Sequence, residues 1–245
     1  MGTNESKTKH FFVAALILLN GCVAYYPQVV DIPLIKDKND LRINAGLFVV
    51  PDINGNFDNQ VYENENDMTE SFGLLGMHIT ATGGVTDFLS VQGYASIDFA
   101  ARFHLQAALG AYHAFENKMV MEIYGGCGYG NGYMNSLFTV RDNYLLPFSQ
   151  FNIGKSGIGS ANIDYGLGFK GGYLFCNFDN RFNQTVIHKK DGWIIEPSAF
   201  FRIGGKRAKY CRMVNYMWTK SVSDDYYFPV NVGMSVNLNL GKRSE

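Results

Sequence analysis

"VNVGMSVNLNL", residues 230–240, decides the fold. Every second residue is apolar: Val230, Val232, Met234, Val236, Leu238 and Leu240. The intervening positions are Asn231, Gly233, Ser235, Asn237 and Asn239. Successive side chains of a β-strand point to opposite faces. A strand over this stretch therefore divides an apolar environment from a polar one. Helical periodicity is hard to find elsewhere in the chain, and the same two-residue alternation is nearly everywhere.

Working outward, ten such strands are expected, at about 41–50, 72–83, 88–96, 102–114, 119–130, 145–155, 161–175, 193–204, 208–219 and 229–240. Each is near the roughly 9–11 residues that a tilted strand needs to cross a membrane. The connections alternate in length. Tight turns follow the second, fourth, sixth and eighth strands, at 84–87, 115–118, 156–160 and 205–207. Long polar connections follow the first, fifth and seventh, at 51–71, 131–144 and 176–192, and the short one after the third is an exception. A soluble sandwich gives no reason for this segregation, whereas short turns at one end and long loops at the other characterise membrane barrels.

The faces agree. One carries Leu41, Leu47, Met77, Ile79, Leu105, Leu109, Leu167 and Phe169. The other carries Arg42, Asn44, His78, Thr80, His104, Gln106, Glu122, Gln150, Asn152, Asp164, Lys170, Glu196, Ser198 and Arg202. A soluble barrel would turn the polar face outward, a reversal the sequence alone leaves open. Phe88, Phe115, Trp193 and Trp218 at strand ends suit interfacial girdles. Arg212 falls on the otherwise apolar face of the ninth strand. The expected fold is all-β: a transmembrane antiparallel up-and-down β-barrel of about ten strands, with eight as the alternative.

The N-terminus reads as an address. Lys7, Lys9 and His10 precede a short apolar run, residues 11–19, which ends in Leu19-Asn20-Gly21-Cys22. The run is too short to span a bilayer, which takes about 20 apolar residues. A basic lead, a short apolar core and small residues at its end describe a secretory signal peptide. The expected organisation is a signal peptide at 1–21, a lipidated periplasmic tether at 22–40, a barrel at 41–241 and a tail at 242–245.

Leu-Asn-Gly-Cys resembles the bacterial lipoprotein signal, which implies acylation of Cys22. Asn231, Gly233, Val236 and Leu238 resemble the C-terminal β-signal read by the barrel-assembly machinery, although Gly241-Lys242-Arg243-Ser244-Glu245 follows in place of a terminal aromatic. Together they make the chain similar to small outer-membrane β-barrel proteins of Bacteroidetes-type Gram-negative bacteria. The resemblance is one of architecture and carries no catalytic motif. It implies the cell outer membrane with a periplasmic N-terminus. The implied partners are outer-membrane lipid, the assembly and lipoprotein-processing machineries, and an outer-membrane protein partner.

The net charge of −1 offers no footprint for nucleic acid. After Cys22, the cysteines are Cys127, Cys176 and Cys211, an odd number without metal-type spacing. An exported protein could close one disulfide; three buried free thiols are the favoured reading. In the acidic connection 51–71, Asp52, Asn54, Asn56, Asp58 and Glu63 fall at calcium-loop positions 1, 3, 5, 7 and 12. Phe57 stands where that loop needs glycine, so a solvated acidic loop is favoured, and no cofactor or metal is expected. His78, His104, Ser90 and Glu122 could in principle form a hydrolytic set, but no nucleophile motif accompanies them. The polar set Arg42, His78, His104, Glu122, Asp164, Lys170, Glu196 and Arg202 reads better as a lumen network, because buried charges must be paired. The expected function is non-enzymatic, a structural or partner-binding role through the outer loops. A narrow solute channel is the alternative, and a membrane-embedded hydrolase is the third.

Overall fold

A computed structural model of the chain describes residues 28–50, 74–98, 102–133, 140–180, 191–219 and 230–241. The elements are β1 (Leu41–Val50), β2 (Leu74–Gly84), β3 (Leu89–Asp98), β4 (Phe103–Ala114) and β5 (Met119–Tyr133). They continue with β6 (Val140–Ile158), β7 (Ile163–Asn180), β8 (Gly192–Gly204), β9 (Ala208–Tyr216), β10 (Trp218–Thr219) and β11 (Val230–Asn239). The two-residue β10 pairs with β8 in the register of the β8–β9 ladder, so β9 and β10 form one stave. Every neighbouring pair is antiparallel. β1 pairs with both β2 and β11, β11 with β9, and β9 with β8, which closes a barrel of ten staves.

Alternation places the side chains as the sequence predicts. Leu109, Ile123 and Leu167 are 59%, 57% and 61% exposed, whereas Asn44, Asn152, Asp164 and Glu196, facing inward, are at 0%. Lone exposed apolar residues are ordinary, but a continuous apolar belt around a closed barrel has no counterpart on soluble monomers. The polarity is that of a barrel solvated by hydrocarbon. The fold is therefore an outer-membrane β-barrel.

The short turns gather at one end, where Gly84 N–H donates to Asp40 O (2.9 Å), Ser156 N–H to Lys118 O (3.1 Å) and Asn239 N–H to Arg207 O (2.8 Å). The chain enters β1 and leaves β11 at this same end. On the loop side β5, β6 and β7 run further than expected, with pairing continuing to Tyr133↔Arg141 and Val140↔Asn180. Polar residues there suggest a loop, but ladder hydrogen bonds are made by the backbone and continue where side chains are polar. The signal peptide, Cys22, the whole 51–71 loop with its calcium-type pattern, and the tail 242–245 lie outside the described residues.

Residues 28–35, expected within a periplasmic tether, lie inside the lumen. Gln28, Ile32, Leu34 and Ile35 are at most 1% exposed. A solvated tether exposes its side chains; this segment is a core element instead.

Candidate functional site

The candidate site is the lumen and the segment threaded through it. A backbone without a strand partner must find other groups for its N–H and C=O when it is buried. Here the staves' side chains supply them. Near the turn end, Glu122 on β5 accepts the Ile35 N–H at 2.7 Å and the Asn152 amide at 2.9 Å. Further in, Arg202 on β8 donates to Ile32 O at 2.6 Å, and Gln150 on β6 donates to Asp31 O at 2.9 Å. At the far end Tyr94 and Ser96 on β3 donate to Gln28 Oε1 at 3.0 and 2.8 Å, Val29 N–H donates to Tyr94 Oη at 3.4 Å, and Asn215 on β9 donates to Gln28 O.

Apolar packing seats the same segment. A side chain at Gly168 would meet Ile32 Cδ1 at 2.7 Å, and one at Gly154 would meet Leu34 Cδ2 at 3.0 Å. These lumen glycines open space that the segment fills. Leu34 has a φ of 57°, a left-handed conformation that is uncommon for such a side chain. The fully buried Leu34 side chain against Gly154 offsets that cost.

The charged residues expected as a network are all buried in the lumen. Within the expected set, one ion pair joins two of its members: Lys170 Nζ lies 3.3 Å from Glu196 Oε2. The others take partners that the alternation pattern did not single out. Arg202 pairs with Asp31 at 3.1 Å, Asp164 with Lys209 at 2.5 Å, and Arg42 with Asp40 at 3.3 Å. Asp31 also accepts from Asn44 at 2.9 Å. The network is thus built between the barrel and the segment inside it. Sequence reasoning missed Asp31, and the cue was its setting: Val29-Val30-Asp31-Ile32-Pro33-Leu34-Ile35 is too apolar for a solvated linker.

The histidines sit in an aromatic layer. His104 Nδ1 lies 2.6 Å from Tyr144 Oη and Nε2 lies 2.5 Å from Gln106 Nε2. His78 stacks on Tyr94 with ring centroids 6.3 Å apart. Ser90 Oγ donates to Tyr124 Oη at 3.1 Å, and Glu122 holds Ile35 and Asn152. Of the hydrolytic set named from sequence, His104, Ser90 and Glu122 thus bond to separate partners, and His78 makes ring contacts with Phe48 and Tyr94. Toward the loop end Tyr144, Leu146, Phe148, Leu174, Ile194 and Met217 form an apolar cluster on the inner wall of the neighbouring staves β6 to β10, with Lys170 Nζ 4.8 Å from the Phe148 ring centroid.

Asn231 and Gly233 of the expected assembly signal face inward on β11, whereas Val236 and Leu238 face the apolar exterior. They belong to the stave that closes the barrel between β1 and β9. Of the thiols expected to be buried and free, Cys211 is both, whereas Cys127 is free but exposed, because strand parity places it on the outer face. Among the described residues no three His, Cys, Asp or Glu side chains come together as a metal site.

No protein-family model and no curated protein matches the chain. Among solved structures it is similar to the outer membrane protease OmpT from Escherichia coli, with a TM-score of 0.46 and 7% identity over 87% of this chain and 100% of that one. It is also similar to the outer membrane protein OprG from Pseudomonas aeruginosa, with a TM-score of 0.36 and 14% identity over 84% and 98% of the two chains. Ail, the attachment invasion locus protein of Yersinia pestis, gives a TM-score of 0.24 and 10% identity over 82% and 98%. The barrel assignment rests on the strand pairing and the inside-out polarity.

Proposed function

We propose that the chain is a non-conducting, non-enzymatic outer-membrane lipoprotein barrel that acts in a structural or partner-binding role through its loop end. In this reading the short turns face the periplasm and Cys22 carries the lipid. The observation that carries it is the occupied lumen. Residues 28–35 fill the space that a ten-stave barrel would otherwise offer to solutes, and both their backbone and their one acid are bonded to the wall. About eight staves give an interior that side chains can fill, and 16–18 leave an aqueous channel. Ten staves with an inserted segment belong at the filled end. A protein closed in this way meets partners at its rim and outer surface.

Planar-bilayer recording tests the proposal. The intact protein should give no steady open-state current at neutral pH, and a variant lacking residues 28–36 should conduct. A steady, sizeable current from the intact protein would put the solute channel in first place.

A further inference from the structure

Beside the lumen segment, the short-turn mouth holds a cavity of about 490 Å³. Small-ligand sites occupy roughly 300–1,000 Å³. Five cations line it, Lys36, Arg42, Lys206, Arg207 and Lys209, against two acids, Asp37 and Asp40. Two of the cations are already matched: Arg42 by Asp40 at 3.3 Å, and Lys209 by Asp164 at 2.5 Å. Lys36, Lys206 and Arg207 have no ion pair among the described residues, and of the lining acids Asp37 is left without one. The unbalanced charge is thus about two positive units, three unmatched cations against one unmatched acid. Burial, and then repulsion by Arg42, hold the Lys36 ammonium below the ordinary lysine range, against the opposing pull of Asp164 and Asp40.

A separate observation points the same way. Asn237 is 2% exposed and lines the cavity, and its Nδ2 has no hydrogen-bond partner among the described residues. Asn239, which also lines the cavity, accepts from Gly241 N–H through Oδ1 at 3.1 Å. A buried donor without an acceptor is unfavourable, and an anionic oxygen in the cavity would satisfy it.

The excess of positive charge disfavours a metal cation. One carboxylate would leave part of the charge unmatched. A phosphate monoester carries nearly two negative charges at neutral pH and three strong acceptor oxygens, and guanidinium binds such an oxyanion through two parallel hydrogen bonds. We propose that this mouth binds the phosphate group of a small phosphomonoester, with Lys36, Lys206 and Arg207 neutralising it and Asn237 donating to it. The site goes beyond the closed-barrel reading and is independent of which compartment the mouth faces. The phosphate can belong to a soluble ester or to a lipid headgroup, and the test separates the two.

The full-length protein is placed in phosphatidylcholine nanodiscs and titrated with glycerol 3-phosphate by calorimetry; a second arm compares its thermal stability in nanodiscs containing phosphatidic acid. Saturable binding at one site is expected, weakened at least tenfold in K206Q/R207Q and also weakened in Asn237→Ala. Lys38→Gln, at a cation that pairs with Asp87 at 3.8 Å and does not line the cavity, should bind as the parent does. Heat-dependent migration on gels verifies that each variant is folded. Binding of the soluble ester supports a soluble ligand. Stabilisation by phosphatidic acid alone, lost in K206Q/R207Q, supports a lipid headgroup. No response to either probe, or a response that K206Q/R207Q leaves unchanged, overturns the proposal.

Discussion

Arg202 of β8 and Asp31 of the lumen segment form an ion pair at 3.1 Å, with side chains 0% and 3% exposed, across 171 positions of sequence. The same Arg202 nitrogen donates to Ile32 O at 2.6 Å. One guanidinium thus fixes both a side chain and the backbone of the segment, away from solvent where charge attraction is strong.

Removing one member of a buried pair leaves the other uncompensated, at a cost of about 3–5 kcal/mol, whereas an apolar replacement of both is often close to neutral. Asp31→Ala should therefore lower the urea midpoint of the folded barrel strongly. Asp31→Ala combined with Arg202→Met should recover much of that loss. A double-mutant cycle on vesicle-embedded protein measures this, and simple additivity of the two single effects would refute the pairing.

Steric fit predicts a second coupling. A methyl group at Gly168 would lie 2.7 Å from Ile32 Cδ1 and 2.5 Å from Ser198 Oγ. Overpacking of this kind costs about 1–3 kcal/mol. Gly168→Ala should destabilise by that order, and adding Ile32→Val should restore part of it. An unchanged penalty in the double variant would mean that Ile32 is not what fills the space over β7.

Period-2 alternation was enough to place Arg42, His78, Glu122, Asp164, Lys170, Glu196 and Arg202 inside and Leu109, Leu167 and Phe169 outside, because pleating ties sequence parity to face. Partners were not legible, since parity says which side a group occupies and not its depth or neighbour. Asp31 was invisible to that logic altogether: its segment has no strand partner and no alternation. Lys209 was obscured by Arg212 on the same stave, which breaks the pattern. Arg212 is exposed on the outer face and donates to Tyr210 Oη at 3.0 Å. The length of β6 and β7 was hidden because their outer ends are polar in sequence while their ladder is backbone.

The apolar exterior yields a depth-dependent prediction. Leu109, 59% exposed, lies midway along β4, and Leu240, 57% exposed, lies just beyond β11 at the turn end. An arginine on the lipid face costs about 2–4 kcal/mol at the midplane and about 0–1 kcal/mol near the interface. Leu109→Arg should therefore destabilise the vesicle-embedded barrel by several kcal/mol, and Leu240→Arg much less. Equal, small effects at both positions would contradict hydrocarbon contact and favour a soluble barrel.

The last prediction concerns the side on which the N-terminus emerges. Gln28 is held by Ser96, two residues before the loop-side end of β3, and by Asn215, one residue before the end of β9. Asp40, by contrast, is bonded to Gly84 at the turn end. The segment therefore crosses most of the lumen between these two points. Cys22 precedes Gln28 by six positions, a reach of about 21 Å at full extension. The apolar band of such barrels is about 25 Å tall, and the lumen beside Gln28 is occupied. A route back through the lumen would use that reach in full, so emergence on the loop side is predicted in place of the periplasmic anchor expected from the sequence. An epitope inserted after Val23 should be labelled on intact cells, together with a tag near Asn59, while a tag at Asn117 in the β4–β5 turn should need permeabilisation. Mass spectrometry of the same preparation should find the acyl group on Cys22. Labelling after Val23 only in permeabilised cells, with Asn59 labelled on intact ones, would overturn the threaded lumen and restore the periplasmic tether.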